Sequence, residues 1–393
     1  MWREYQHIAG VIELPNKTNQ KLDELRQRRD EARLGGGLKK QEAIRKSGRG
    51  TARDRISMLL DEESFIEIDS FVTPRTVDHN MFLHQTLGDG VVAGHGTIDG
   101  RRVYCFAQDF SVHGGSMGET HAKKISKVVE MAERAKVPII GMWDGGGQRA
   151  HDGISGLAGT GELLDRLVQC SGRVPIISLV LGPVVGVSSL AASLADFTIL
   201  GEEHGQLFLS SPLETPEVIQ GEIDAAGLGG ASLHASRSGI ACLIADDDED
   251  ACEMAAEILG FLPDHNGAIA PFIETGDPHD RTNPDLEALV PDNPNRPYDM
   301  VKVVEEIVDD GHFMELFDAY ADKNHRDLKG ALTESSTAPT RVSSKSMGEQ
   351  TGSVKVGADF VVTKDLMFNL NAKYGLADGG DEQSYGGGFR FVF

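Results

Sequence analysis

Three glycine-rich segments could do chemistry with their backbone: His113-Gly114-Gly115-Ser116, Asp144-Gly145-Gly146-Gly147-Gln148-Arg149 and Gly182-Pro183-Val184-Val185-Gly186-Val187. The first and third precede stretches that predict helices, and the second follows an apolar run that predicts a strand. Peptide N–H groups at a turn that opens a helix point outward together, and the helix dipole favours negative charge there. Two such groups from separate turns can hold an oxygen that becomes anionic during a reaction. The enolate of a thioester has that need. Glycine also makes tight turns for purely structural reasons, so one such turn carries little. A succession of them at strand ends of an open α/β sheet lies where ligands bind.

Side chains of the usual catalytic kinds are sparse nearby. Asp144 with Arg149, and His113 or His151, could form an acid–base pair, although such residues beside glycine more often bond their own turn. No Ser/His/Asp grouping and no GxSxG occurs. Cys170 follows an apolar helical stretch and reads as packing rather than nucleophile. No GxGxxG follows a strand and no GxxxxGK(S/T) occurs, so nucleotide-dependent chemistry loses support. Cys105, Cys170, Cys242 and Cys252 show no CxxC spacing, which argues against a zinc ribbon or a disulfide framework and for a reducing cytoplasm. No metal is expected. The residues point to backbone catalysis.

The elements that must position these turns follow from periodicity. Residues 17–34 predict a charged, solvated helix that Gly35-Gly36-Gly37 ends, with a partner-binding helix as the less favoured reading. From Gly48 to about Gly260, short apolar strands alternate with helices and glycine turns, the pattern of an α/β domain. Asp99-Gly100 between two apolar runs predicts a hairpin. Thr120 to Ala135 predicts a helix with Ile125, Val128, Val129 and Ala132 on one face. Val137 to Trp143 predicts a strand covered on both sides. Lys136-Val137-Pro138-Ile139-Ile140 is echoed 37 residues later by Arg173-Val174-Pro175-Ile176-Ile177, which suggests stacked units, a spiral rather than a Rossmann crossover series.

The chain has 393 residues, of which 40% are apolar and 25% charged. That is enough for one large or two ordinary domains. With 61 acidic against 38 basic side chains the formal charge is −23. Such a charge argues against broad nucleic-acid binding but not against an anionic small ligand. Neither an apolar transmembrane stretch nor an N-terminal export signal is read. Residues 261–300, rich in Pro, Asp and Asn, predict a connector, followed by a short helix from Met300. The expected division is 1–47, an N-terminal helical segment; 48–260, the α/β body; 261–324, a connector and the start of a further domain; 325–352, a Ser/Thr-rich linker; and 353–393, a tail of three period-two strands.

Further motifs carry a resemblance. Gly50-Thr51-Ala52-Arg53-Asp54-Arg55-Ile56 with Leu60-Asp61-Glu62-Glu63-Ser64-Phe65, Gly88-Asp89-Gly90-Val91-Val92 and Gln108-Asp109-Phe110-Ser111-Val112-His113-Gly114-Gly115 stand in order. The Asp144–Arg149 segment follows, then Leu228-Gly229-Gly230-Ala231 with His234 and Ser238-Gly239, and Val290-Pro291-Asp292 with Pro297-Tyr298-Asp299-Met300. Over residues 17 to about 324 the sequence resembles the first part of the carboxyltransferase (beta) subunit of biotin-dependent acyl-CoA carboxylases, of the propionyl-CoA carboxylase beta-chain type. The resemblance implies a crotonase-like spiral of ββα units that binds a short acyl-CoA. It also implies that carboxybiotin releases CO2 in the site, that the biotin nitrogen takes the α-proton, and that the enolate attacks CO2 while peptide N–H groups hold its oxygen. Those groups would be Gly186 and Val187, with Gly114 and Gly115 as the second turn. Asp144, Gly145, Gly146, Gly147 and Arg149 would shape the substrate pocket. Where the family carries two adjacent glycines, this chain has Gly186-Val187, and a valine there restricts φ and crowds the thioester.

Two departures shape the remaining expectations. The family continues into a second crotonase-like domain that holds the biotin, whereas the likeness here stops just after Phe317-Asp318-Ala319-Tyr320. No Met-Lys-Met biotinylation site is present, so biotin is expected on a separate protein. The implied partners are a biotin carboxylase, a biotin carboxyl carrier subunit, and either further copies of this chain or a subunit supplying the second carboxyltransferase domain. The tail resembles the last strands of an outer-membrane β-barrel, though three strands cannot close one. A non-catalytic acyl-CoA-binding fragment fused to such a tail is the alternative reading, and a membrane barrel protein a third.

Overall fold

Asp99 and Gly100 turn the chain between β2 (Val91–Ile98) and β3 (Arg101–Gln108), as their dipeptide predicts. Their φ values are 49° and 76°, and Ile98 pairs with Arg101 across the turn. Positive φ at both central residues gives the two-residue hairpin whose twist matches its strands. In this computed structural model the described residues are 16–76, 80, 83, 85–210, 224–272, 274–276, 278, 281–290, 298–320 and, as strands, 325–330, 340–345, 351–363, 366–377 and 380–391. The chain's first residues, the Pro-rich 291–297 and the terminal Phe393 lie outside them. The chain divides into two units, Met1–Phe317 and Asp318–Phe393.

The first unit holds an eight-stranded sheet of order β1-β2-β3-β4-β5-β6-β8, with β7 paired to β5. Its other strands are β1 (Ile66–Glu67), β4 (Ile139–Gly145), β5 (Ile176–Val185), β6 (Phe197–Gly201), β7 (Gln206–Phe208) and β8 (Leu243–Ala245). β2 runs antiparallel to both β1 and β3, and from β3 through β4, β5, β6 and β8 the pairing is parallel. Along that path each strand lies beside its predecessor, so the order never reverses as it does in a dinucleotide-binding sheet. The winding is the expected spiral. The 37-residue echo becomes a register: Ile139 pairs with Ile176 and Ile140 with Ile177.

Helices cover both faces. On one lie α4 (Glu119–Ala135) and α5 (Gly153–Cys170), where Ile125, Val128, Val129 and Leu163 are fully buried. On the other, α3 (Ala52–Leu59) and α7 (Asp248–Phe261) pack Ile56, Leu59, Ala255 and Ile258 against Cys105, Ile140 and Leu179. Each fully buried aliphatic side chain contributes about 1.5–3 kcal/mol of transfer free energy, which explains why β4 reads as a continuous apolar run. α3 starts on a capping box, in which Thr51 Oγ1 accepts from Asp54 N–H and Asp54 accepts from Thr51 N–H. α6 (Val187–Ala192) follows β5 directly. At the N-terminus, α1 (Asn16–Leu34) is exposed almost throughout its described residues, as its charge predicts, and Gly35–Gly37 joins it to α2 (Leu38–Lys46). Among the described residues no helix is long and apolar enough to cross a membrane.

The second unit departs from expectation. It is a five-stranded antiparallel meander of order β13-β12-β11-β10-β9. The strongly alternating runs give β11 (Thr351–Thr363), β12 (Leu366–Ala377) and β13 (Gly380–Phe391), in a register that sets Phe360 opposite Phe368 and Phe368 opposite Phe389. The expected linker at 325–352, however, contains β9 (His325–Gly330) and β10 (Thr340–Lys345). Its Ser/Thr-rich sequence has too few large apolar residues to show a period, yet Thr and Val favour extended backbone, and Val342 pairs with Val354 on β11. β9 and β13 are the two ends of this path, so the sheet is open among the described residues. The likeness to the end of an outer-membrane barrel finds no support.

Candidate active site

The three glycine turns meet at the C-terminal ends of β3, β4 and β5. The first, His113–Gly115, is a short turn with positive φ at all three residues. A side chain at Gly115 would put its Cβ 2.1 Å from the Asp144 carbonyl oxygen, so only glycine lets this turn press against the end of β4. Gly146 N–H donates to Gly114 O at 2.9 Å, and Met117 N–H donates to Gly147 O at 2.8 Å, which laces the first turn to the second. Gly145 pairs with Val184 on β5, which joins the second to the third. There Gly186 takes φ 64° and ψ −128°, and α6 starts at Val187. Such a conformation is open essentially to glycine alone.

The hydrogen bonds separate the four expected donors. Gly186 N–H donates to Phe208 O at 2.7 Å and Gly115 N–H to Val112 O at 3.0 Å, so neither is free for an oxyanion. Val187, one residue on, lies in the first turn of α6, where N–H groups lack an intrahelical acceptor, and Gly114 lies in the left-handed turn just before Gly115. In this structure the glycine conformation shapes each turn, and Phe208 O and Val112 O hold the N–H groups of Gly186 and Gly115.

Asp144 and Arg149 do not pair with each other. Asp144, 1% exposed, accepts from Arg55 at 2.9 Å and from Arg49 at 3.1 Å. Arg55 donates onward to Asp248 at 2.7 Å and to Leu181 O at 2.7 Å. Arg49 also lies over the Phe110 ring, 4.6 Å from its centroid. Arg149 instead donates to Asp89 at 2.6 Å and to Ser116 O at 2.8 Å. Burial pushes the carboxyls of Asp144 and Asp89 upward from the usual range, against the pull of their guanidinium partners. Both aspartates are engaged in buried ion pairs rather than poised to move a proton.

A polar chain joins the two pairs. Asp144 N–H donates to Gln108 Oε1 at 3.0 Å, Gln108 Nε2 lies 3.3 Å from His121 Nε2, and His121 Nδ1 lies 3.0 Å from Asp89 O. Burial, and then the Arg149 charge, push the His121 pKa down to about 3, so its ring is neutral. The loop leading to the first turn is also braced from the N-terminus. Gly36 N–H donates to Ser111 Oγ at 2.9 Å and Lys40 Nζ to Ser111 O at 3.2 Å. Of the expected histidines, His113 forms the turn and His151 lies in a short helical turn before α5. The sequence reading missed the roles of Arg49, Arg55, Asp89, Gln108, His121 and Asp248. Motifs containing Arg55, Asp89 and Gln108 carried part of the resemblance, but nothing local marks their partners. A cleft of about 570 Å³, lined in part by Arg45, Arg49, Asp247 and Asp248, includes no residue of the three turns. Among the described residues no cluster of His, Cys, Asp and Glu suits a metal ion.

A singly wound spiral with glycine turns at its parallel strand ends is the architecture of the crotonase-like carboxyltransferases. The chain belongs to the carboxyl transferase domain family, whose sequence model matches residues 43–324. It is 42% identical over 300 residues to the propionyl-CoA carboxylase beta chain of Roseobacter denitrificans, covering 76% of this chain and 59% of that one. To the methylmalonyl-CoA decarboxylase subunit alpha of Veillonella parvula it is 40% identical over 302 residues, covering 77% and 59%. A transcarboxylase 12S crystal structure with methylmalonyl-coenzyme A bound superposes with a TM-score of 0.76 at 33% identity, over 84% of this chain and 62% of that one. The chain thus spans about three fifths of the length of these relatives.

Proposed function

We propose that residues 48–260 form the acyl-CoA half of a biotin-dependent carboxyltransferase, which moves a carboxyl group to the α-carbon of a short, propionyl-like acyl-CoA. The observation that carries this reading is the meeting of the three turns, with Val187 at the start of α6 and Gly114 in the His113–Gly115 turn as the peptides assigned as donors. In this reading those two N–H groups hold the thioester oxygen as it gains charge, and Asp144, Gly145, Gly146, Gly147 and Arg149 form the wall behind them. A donor of this kind typically contributes about 10²–10³ in rate. The ion pairs of Asp144 and Arg149 keep that wall rigid.

Carboxybiotin, when bound, supplies both the CO2 and the nitrogen that takes the α-proton. We assign the biotin site to a second carboxyltransferase domain, on a partner subunit or a further segment. A biotin carboxylase and a biotin carboxyl carrier protein complete the reaction. The cytoplasmic setting expected from the unpaired cysteines belongs to the same reading. Titration calorimetry with propionyl-CoA tests the site. The chain should bind it, and Gly186→Pro should abolish that binding, because proline cannot adopt a positive φ and lacks the N–H that Phe208 O accepts. Unchanged affinity in the variant removes these turns from the site.

A further inference from the structure

The β3–β4 ladder ends at Ala107 and Met142, two residues before Asp144. Beyond that point the chain after β3 veers away to make the His113–Gly115 turn, and the Asp144 N–H has no strand to pair with. The Gln108 side chain, fully buried, takes the strand's place by accepting that N–H at 3.0 Å. Its orientation is fixed from the other end. The Asp89 carbonyl can only accept, so His121 Nδ1, 3.0 Å away, carries the ring proton. The neutral ring then offers Nε2 as an acceptor to Gln108 Nε2–H, which leaves Oε1 facing Asp144. Gln108 also lies directly beneath the second turn, since a Cβ at Gly145 would sit 2.8 Å from Oε1 and 2.4 Å from Gly115 O. One carboxamide therefore meets the point where the first and second turns touch.

We infer that Gln108 is a positioning residue. Its carboxamide sets the separation between the end of β4 and the His113–Gly115 turn, and through it the aim of the peptide donors at the thioester oxygen. The inference rests on the acyl-CoA reading above. It implies that Gln108 acts on the thioester part of the ligand and not on the CoA part.

The test compares propionyl-CoA with free CoA by titration calorimetry on the full chain, alongside thermal melting. In Gln108→Met, similar in volume but without the amide, the preference for propionyl-CoA over CoA should fall about fivefold to tenfold, the worth of about one hydrogen bond. CoA affinity itself should stay unchanged. Gln108→Glu should restore the preference, because a buried neutral carboxylic acid can donate to His121 Nε2 and accept from Asp144 N–H. Should the methionine variant lose its cooperative melt, Gln108→Asn takes its place with the same expected fall, its amide being one methylene too short to reach both partners. An unchanged preference in a folded variant, or an equal loss of both affinities, overturns the inference alone. A wild-type chain that binds propionyl-CoA no better than CoA overturns the acyl-CoA reading and the inference with it.

Discussion

Arg55 and Asp144 meet at 2.9 Å with each side chain only 1% exposed, although 89 residues separate them in the chain. The bond ties α3 to the end of β4, at the start of the second glycine turn. Arg55 also holds Asp248 on α7 and Leu181 O on β5, so one guanidinium links a helix on one face of the sheet to the strand ends that carry the candidate site.

Replacing Arg55 by methionine should therefore be severe. It leaves buried Asp144 with Arg49 alone and half-buried Asp248 without its arginine, and breaking a buried pair from one side costs about 3–5 kcal/mol. Urea denaturation should show that loss. Arg55→Lys should recover little, because a point ammonium cannot reach Asp144, Asp248 and Leu181 O together. A lysine variant of wild-type stability would show that the fork geometry is unimportant.

His121 makes stability depend on pH. Its folded pKa, about 3, lies below the unfolded value of about 6.5, so below pH 6.5 the unfolded chain binds the extra proton. The contribution is complete above pH 6.5 and is lost as pH falls from there toward 3. The slope is at most about 1.4 kcal/mol per pH unit for one proton. Denaturation series at pH 7 and pH 5 on wild type and His121→Gln should show a shallower acid loss in the variant. Equal slopes would mean that the ring takes up a proton inside the fold.

The backbone half of this molecule was legible in the sequence, and its ion pairs were not. Asp99-Gly100 announced a hairpin because turn chemistry is local. The Val-Pro-Ile-Ile echo announced neighbouring strands because each turn of the spiral repeats the same unit. Asp144 and Arg149 stand in one motif, which marks neither residue's partner. The structure sends them to different partners, Asp144 to Arg55 on α3, 89 residues away, and Arg149 to Asp89, 60 residues away. Gly186 was rightly singled out as a special turn residue. Which peptide keeps its N–H available depended on Phe208 O, supplied by a strand that joins β5 later in the chain. No local pattern records that.

Val187 should limit the acyl group. It is half-buried beside the turn, where a smaller residue would leave more room for the thioester. Val187→Gly should keep the N–H and raise the affinity for acyl-CoAs longer than propionyl relative to propionyl-CoA itself, at some cost in helix stability of about 1 kcal/mol. An unchanged order of affinities would show that the valine does not face the acyl chain.

The second unit should be separable. A truncation ending at Asn324 removes the meander and should melt cooperatively at the temperature of the full chain, while a sheet that is open among the described residues is prone to pair with other chains. Solubility should be equal or better. If the truncated chain loses its folded spectrum, residues 325–393 belong to the core and the boundary is misplaced.

The most direct test of the carboxyltransferase account is fixation of labelled bicarbonate into propionyl-CoA, with biotin carboxylase, the biotin carrier protein and ATP supplied. On the proposed reading the chain alone should fix a negligible amount, because the second carboxyltransferase domain holds the biotin. Adding a separate second carboxyltransferase domain should produce label in a methylmalonyl-type product, and Gly186→Pro should abolish it. Turnover by the purified chain alone, or no turnover with the second domain although the chain binds propionyl-CoA, would contradict the account.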